Sequence, residues 1–441
     1  MLKRTFPFRL AVLLSIAFLC WVVAAGQTLS KSDREGGKIM LHNIRDSIKK
    51  NYYDAEFHGV DIDEAFKASE ASMDQATSNG QLFGIIEKAL LSLKDTHTFF
   101  LPPPHVMRVS YDWQIQMIGD HCYIVAVKPG TDAEKQGLKP GDILHVVDGY
   151  KITRDNFWNF NYLYNALQPQ QQLNVVVQGP GEQPRRVIYK PTTRQGSKIL
   201  DLTSAIESGD YIREQQDIDR LYEHQFRPFG HELMIWKMPS FDMTVGRVNE
   251  IMDRVGKYKT LVIDLRGNAG GYVETLLQVV GNLFEHDTKI GDRKKRKDIK
   301  AMIAKTRGHD TYDGQLILLV DNGSASAAEL LARVVQIEKK GLVIGDLTAG
   351  AVMESRRFQF SLGEGNLVFY GASITDADII MTDGKSLEHV GVTPDKLMLP
   401  TGADMREQAD PVLSYAASLA GVKLDPKEAG ALFPVRWKPH P

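Results

Sequence analysis

Cysteine is scarce in this chain, which has 441 residues but only Cys20 and Cys122. Two thiols cannot build the disulfide framework of a small secreted domain or a Cys-rich zinc module. A basic excess is also missing, since 53 Lys and Arg residues stand against 55 Asp and Glu residues. Nucleic-acid-binding proteins usually carry such an excess, so we expect no nucleic-acid partner. The hydrophobic fraction of 43% instead predicts a folded protein with a large core.

The N-terminus carries an apolar run of 16 residues, 10–25, which follows three basic residues and ends in Val23, Ala24 and Ala25. A membrane-spanning helix needs about 20 apolar residues, so this run is short for one. A basic start, a short apolar stretch and a small-residue site are typical of a secretory signal peptide. We therefore predict a signal peptide over 1–25, a periplasmic or secreted protein, and no stable membrane insertion after cleavage. An uncleaved N-terminal anchor is the alternative.

Apolar periodicity divides the remaining chain. Residues 33–104 are predicted to form a helical domain, because two sets of apolar residues there have helical spacing. These are Met40, Ile44 and Ile48, and Leu82, Ile86, Leu90 and Leu93. Three prolines, 102–104, stop any helix and mark the boundary.

Residues 106–192 contain short β-rich runs separated by turns, with a hairpin signal at Asp148 and Gly149. Residues 200–400 alternate apolar strands with helices, which predicts an α/β domain. The strands are predicted at 261–265, 316–320 and 342–344, and the helices at 276–284 and 329–337. Residues 401–441 follow as a C-terminal segment, for which the sequence predicts no fold.

The strongest candidate for chemistry is the small-residue stretch 321–329, between a predicted strand and a predicted helix. Ser326 would stand at the helix N-terminus, where free N–H groups can stabilise an oxyanion, so it is the candidate nucleophile. The alternative is structural, because Ser326 and Glu329 also have the spacing of a capping box. Ser324 is an alternative helix cap.

A glycine loop, 264–271, also follows a buried strand and precedes a helix. The backbone N–H groups of Gly270 or Gly271 could complete an oxyanion hole with that of Ala327. The glycine spacing fits neither a dinucleotide fingerprint nor a phosphate-binding loop. A tight strand-to-helix turn is the structural alternative.

A nucleophilic serine needs a base, and His97 is one candidate among twelve histidines. It is predicted at the end of a helix. The structural alternative is that it only interacts with the helix dipole and has no catalytic role. Glu388 is a carboxylate in a turn-rich segment, and on its own it reads more readily as a surface residue. His231 and Glu232 lack the second histidine of a zinc-peptidase motif, so we expect no metal site and no cofactor.

Four segments, in this order, resemble the tail-specific or C-terminal-processing serine peptidases, particularly the branch with the tricorn protease core. They are 93–98, 264–271, 322–329 and 388–395. The resemblance implies an α/β, crotonase-like catalytic domain over 200–400. It also implies that residues 106–192 are a PDZ domain, on the match of 137–144.

The resemblance also implies roles and partners. Ser326 matches the family nucleophile, but Ala351 stands where many members have a catalytic lysine. In the tricorn-like branch a histidine and a glutamate serve instead, and His97 and Glu388 match these. The implied function is an exported serine endopeptidase that acts on polypeptides. Its PDZ-like module would bind free C-termini of these substrates, and the protein could form homo-oligomers. The alternative is a non-catalytic pseudopeptidase that binds peptides or hydrophobic ligands. An acyl-CoA enzyme of the crotonase type is a further rival.

Overall fold

The computed structural model describes residues 29–104, 107–195, 223–363 and 367–437. The predicted signal peptide, 1–25, therefore lies outside the described residues. Within those ranges, no helix is long and apolar enough to cross a membrane.

Three helices open the described chain, and a short strand follows them. These elements are α1 (Lys31–Asn51), α2 (Ile62–Met73), α3 (Asn79–Leu91) and β1 (Phe99–Leu101). The two predicted sets of apolar residues lie together in one buried cluster, as their spacing indicates. Helix α2 was not predicted, because only Ile62, Phe66 and Met73 on its twelve residues are buried. The same cluster takes in Phe100 and Ile374, so the helices share their core with a later part of the chain.

Residues 107–195 form a β-rich domain with its own apolar core. Its elements are β2 (Met107–Ser110), β3 (Trp113–Ile118), β4 (His121–Val127), α4 (Asp132–Lys135), β5 (Ile143–Val147), β6 (Tyr150–Lys151), α5 (Phe157–Tyr162), β7 (Leu173–Gln178), β8 (Arg185–Tyr189) and β9 (Thr192–Gln195). The main sheet has the order β3-β4-β5-β7-β8, which leaves β3 at an edge. The predicted hairpin joins β5 to β6, and Asp148 and Gly149 in its turn both have positive φ, 47° and 89°. Positive φ at both central residues is the geometry for which Asp-Gly is favoured.

The remaining elements build the α/β domain and the C-terminal segment. The strands are β10 (Gln225–Phe229), β11 (Leu233–Lys237), β12 (Thr260–Asp264), β13 (Thr288–Lys294), β14 (Ile299–Ala304), β15 (Gln315–Val320), β16 (Gly341–Gly345), β17 (Met353–Leu362), β18 (Val368–Met381) and β19 (Lys396–Leu397). The helices are α6 (Val245–Val255), α7 (Val273–Gly281), α8 (Ala327–Ile337), α9 (Gly402–Arg406), α10 (Pro411–Leu419) and α11 (Pro426–Ala431).

The first sheet of this domain has the order β10-β11-β12-β15-β16-β19 and is parallel from β11 onwards. Helices α6, α7 and α8 pack on one face, and α10 and α11 cover the other. Strand β12 is buried at every residue, which explains the apolar run 261–263 at its centre. The predicted α/β fold is confirmed, and the C-terminal segment packs against the sheet.

A second sheet has the order β1-β18-β13-β14, and β17 also pairs with β18. Strand β1 pairs with β18 in antiparallel register, with Phe99 opposite Ser373. Residues 99–101 therefore belong to this sheet rather than to the helical unit that was predicted to extend to residue 104. The strand that follows His97 is consequently part of the α/β domain.

The parallel sheet positions the candidate site. Strands β12, β15 and β16 are neighbours, so their carboxyl ends meet at one edge of the sheet. The chain leaves them in three loops, 265–271, 321–326 and 346–352. The glycine loop and the serine turn are two of these three.

Candidate active site

Ser326 lies in a sharp turn between β15 and α8. Its backbone has φ 54° and ψ −118°, a conformation that costs free energy for any residue other than glycine. The turn is held by its own N–H group, which donates to the carbonyl of Ala351 at 2.9 Å. The following residue, Ala327, begins α8. The predicted position of Ser326 at a helix N-terminus is therefore found.

The Glu329 carboxylate fastens this turn to the third loop. It accepts from the N–H of Ser326 at 3.1 Å, of Gly350 at 2.8 Å and of Ala351 at 2.9 Å, and from the Thr348 hydroxyl at 2.5 Å. Burial raises the pKa of Glu329 to about 7, and these donors oppose that rise. The capping box predicted as an alternative is thus present. It is compatible with catalysis, because the carboxylate half of the box holds the backbone of Ser326.

The predicted alternative cap, Ser324, does not cap the helix. Its hydroxyl accepts from the N–H of Asp321 at 3.0 Å and donates to the carbonyl of Leu265 at 2.9 Å. The Asp321 carboxylate in turn accepts from the N–H groups of Gly267 and Gly323, at 2.8 and 2.9 Å. The bonds to Leu265 and from Gly267 join the glycine loop to the serine turn, and the other two hold the serine turn itself.

The glycine loop lies directly against Ser326, the candidate nucleophile. A side chain at Gly270, where φ is 96°, would place its Cβ atom 2.7 Å from Ser326 Cβ. However, the Gly270 N–H already donates to Asn268 Oδ1 at 2.8 Å, so it is not available to an oxyanion in this structure. Among the described residues, the N–H groups of Gly271 and Ala327 have no hydrogen-bond acceptor. Of the two glycines named from the sequence, Gly271 is the one that can still donate.

His97 does not lie at the end of a helix, as was predicted, because α3 ends six residues earlier at Leu91. It sits in a turn organised by Asp95, a residue that the sequence did not single out. Asp95 Oδ1 accepts from the N–H groups of His97 and Thr98, at 3.0 and 2.6 Å. The hydroxyls of Tyr52 and Thr375 also donate to this carboxylate, both at 2.7 Å. The position of His97 is therefore set by tertiary contacts rather than by a helix dipole.

Thr96 joins the imidazole of His97 to Glu388. His97 Nδ1 lies 2.8 Å from Thr96 Oγ1, and that hydroxyl donates to Glu388 Oε2 at 3.2 Å. An ionised carboxylate can only accept, so the single hydroxyl hydrogen goes to Glu388 and the oxygen accepts from Nδ1–H. The Nε2 atom of His97 is then unprotonated and can act as a base. The sequence analysis predicted His97 and Glu388 but not Thr96. The only feature of the sequence that could have indicated Thr96 is its position next to His97.

Glu388 also reaches the nucleophile side of the site. Its Oε2 atom accepts from the N–H of Val352 at 2.9 Å, and Val352 follows Ala351, which holds Ser326. Its other oxygen accepts from the Thr96 N–H at 2.8 Å. A continuous path of hydrogen bonds and one peptide link thus connects His97 to Ser326. Glu388 is not the surface residue that its isolated sequence context suggested.

Burial shifts the pKa values of His97 and Glu388 in opposite directions. It lowers the pKa of His97 to about 4, and the nearby Asp95 opposes that change only in part. Burial raises the pKa of Glu388, against the hydrogen bonds from Val352 and Thr96. At neutral pH the imidazole is therefore uncharged and able to take a proton.

Comparison with known proteins finds a family model, related sequences and similar folds. Residues 234–398 match the model of peptidase family S41. A chloroplastic C-terminal processing peptidase of Tetradesmus obliquus is 24% identical over 379 residues, which cover 80% of this chain and 75% of the relative. A carboxy-terminal-processing protease of Bartonella bacilliformis is 25% identical over 379 residues, covering 81% and 78%. The crystal structure of mature CPAF superposes with a TM-score of 0.63 at 13% identity, over 85% of this chain and 94% of that one.

The matched segment contains Ser326, Glu388 and the glycine loop, whereas His97 lies before it. The structural likeness to CPAF supports the fold. Residues 234–398 are thus similar to peptidase family S41, and the related processing peptidases support a serine peptidase.

Proposed function

We propose that this protein is an exported serine endopeptidase that cleaves polypeptides through Ser326, His97 and Glu388. The observation that carries this proposal is the hydrogen-bonded path from Glu388 through Thr96 to His97, which also reaches the backbone of the Ser326 turn. The absence of a lysine at position 351 agrees with it, because a neutral imidazole replaces the amine as the base.

The chemistry follows from these positions. Ser326 Oγ attacks the scissile carbonyl while His97 Nε2 takes its proton, and the imidazolium then protonates the leaving amine. Glu388 acts through the Thr96 hydroxyl, which keeps the proton on Nδ1 and stabilises the imidazolium. The N–H groups of Ala327 and Gly271 stabilise the oxyanion, and one such donor is typically worth about 10²–10³-fold in turnover. Gly270 contributes by allowing close approach to Ser326 rather than by donating.

The β-rich domain is proposed to act as the PDZ-like module that binds peptide C-termini. Strand β3 is an edge strand, so a peptide can be added to it as a further strand. The same strand faces the catalytic loops, since Gln116 Nε2 donates to Asp321 Oδ2 at 2.7 Å. A peptide held along β3 would lie beside the loop that ends in Ser326. The names of the relatives, which describe C-terminal processing, favour this role.

One serine variant and one histidine variant test the peptidase proposal. Ser326→Ala and His97→Ala should each reduce hydrolysis of an unfolded protein substrate by at least about 10³-fold while the circular dichroism spectrum is unchanged. A fluorophosphonate probe should label the wild type and fail to label Ser326→Ala. Full activity in either variant would remove that residue from the mechanism. A wild type that is neither labelled nor active would instead support the non-catalytic alternative.

Recruitment and export are tested separately. Two substrates that differ only in a free or an amidated C-terminus should differ in KM, with the free carboxylate giving the lower value. Equal KM values would argue against recognition of C-termini. N-terminal sequencing of the protein from a periplasmic or culture fraction should begin at Gly26, and a retained Met1 would favour the uncleaved anchor.

A further inference from the structure

The outer edge of strand β1, which follows His97, forms hydrogen bonds with side chains rather than with another strand. Phe100 is its central residue. The Phe100 N–H donates to Glu87 Oε2 at 2.8 Å, and its carbonyl accepts from the Tyr162 hydroxyl. Glu87 lies on α3 and Tyr162 on α5 of the β-rich domain, so three parts of the protein meet at this one residue. A strand of three residues has few ladder bonds, and these two edge contacts therefore matter to its position.

The surroundings of Glu87 disfavour a negative charge. The side chain is 3% exposed and belongs to the buried interior of the helical region. The groups that face it are the Asp95 carboxylate, the Tyr162 phenol and the Phe100 N–H, and none of them is a cation. Its second oxygen, Oε1, is buried without a hydrogen-bond partner among the described residues. An unpaired carboxylate in such a place is costly, and burial raises the pKa of Glu87 to about 8.

We propose that Glu87, held as a neutral carboxylic acid, is a positioning residue for His97. This inference rests on the proposed function of His97 as the base. The acid accepts from Phe100 three residues beyond His97, and Asp95, the nearest charged group, holds the backbone of His97 itself. Ionisation of Glu87 would place a second negative charge near Asp95. The Phe100 N–H would still donate to the charged carboxylate, so the repulsion would act on Asp95 and displace the His97 turn that Asp95 holds.

Kinetic measurements on the full chain provide the first test. At pH 9, about one unit above the pKa of Glu87, the neutral form falls to about a tenth, so kcat should fall about tenfold between pH 7 and pH 9 at constant KM. Glu87→Gln cannot ionise and keeps an acceptor for Phe100, so its kcat should stay within about twofold over this range. Glu64→Gln removes an exposed carboxylate from α2 and should retain the wild-type profile. A Glu87→Gln profile that matches the wild type would overturn the proposal.

A second test does not depend on hydrolysis and therefore separates this inference from the proposed function. In Ser326→Ala protein with isotope-labelled histidine, the ring nitrogen signals of His97, assigned through His97→Gln, should move with a midpoint near pH 8. They should stay constant over the same range when Glu87→Gln is added. Signals that ignore Glu87 would refute the positioning role even if peptidase activity were confirmed. If the His97 signals respond to Glu87 but the wild-type protein has no peptidase activity, the coupling is supported and only the proposed peptidase function is rejected.

Thermal unfolding checks the protonation state of Glu87. Because its pKa is raised on folding, its stabilising contribution is complete below about pH 4.5 and is lost as the pH rises to about 8. The Tm difference between Glu87→Gln and wild type should therefore grow in favour of the variant between these values and then become constant. Parallel Tm curves for the two proteins would show that Glu87 is not neutral, and would contradict the proposal.

Discussion

Thr96 and Glu388 are 292 positions apart in the chain, yet two hydrogen bonds join them. The N–H and the hydroxyl of Thr96 each donate to a different oxygen of the carboxylate. The early turn that carries His97 is therefore docked onto a late loop of the α/β domain. Glu388 is linked to the imidazole of His97 through the Thr96 hydroxyl and not by direct contact.

Thr96→Val should lower kcat by about 10²-fold, because it removes the hydroxyl that carries the effect of Glu388 to His97 and so weakens general-base catalysis. KM should change little, since the hydroxyl is not placed to touch the peptide. Thr96→Ser is the matched control, and it should keep most of the activity. Equal kcat values for the valine and serine variants would show that the relay has no catalytic role.

The acid limb of the rate profile should report the pKa of His97. A solvated histidine would give a limb near pH 6–7. Burial lowers the pKa of His97 to about 4, so kcat/KM should rise with pH through about 4 and be constant by pH 6. The measurement needs a substrate without groups that titrate in this range. A limb that appears only above about pH 9 would indicate a lysine base instead.

Gly270→Ala should abolish most activity, because the added Cβ would meet Ser326 Cβ at 2.7 Å and the Ala325 carbonyl at 3.0 Å. Gly267→Ala is a matched control in the same loop. Gly267 also has positive φ, 73°, but nothing lies within 4 Å of the added Cβ atom. Both variants carry backbone strain, and only the first has the clash. Similar activity losses would show that strain, and not contact with the nucleophile, is responsible.

Asp95→Asn should destabilise the protein by about 1–3 kcal/mol, because the buried carboxylate accepts from four donors and an amide cannot satisfy all of them. The kcat value should fall as well, since two of these donors are the N–H groups of the His97 turn. Chemical denaturation and steady-state kinetics measure the two effects. An exposed control, Asp63→Asn on α2, should leave kcat unchanged. A stable and fully active Asp95→Asn protein would contradict the role assigned to this carboxylate.

Local patterns were sufficient for much of the fold. The helical faces of α1 and α3, the buried strand β12 and the hairpin at Asp148 follow from periodicity and turn chemistry, which act between residues close in sequence. Helix α2 has too few buried residues for such a signal. Strand β1 has only three residues, and its pairing with β18 is a contact across more than 250 positions.

The sequence by itself determined the candidate chemistry. The residue types at Ser326, His97 and Glu388, and the absence of a lysine at 351, are fixed by the covalent chain before it folds. Tertiary structure alone decided how these groups are connected. It placed Thr96 between His97 and Glu388, engaged the Gly270 N–H with Asn268 and removed the imidazole partly from solvent. The physical reason is that hydrogen-bond direction and desolvation depend on neighbours brought together by folding, and no local pattern in the chain encodes those neighbours.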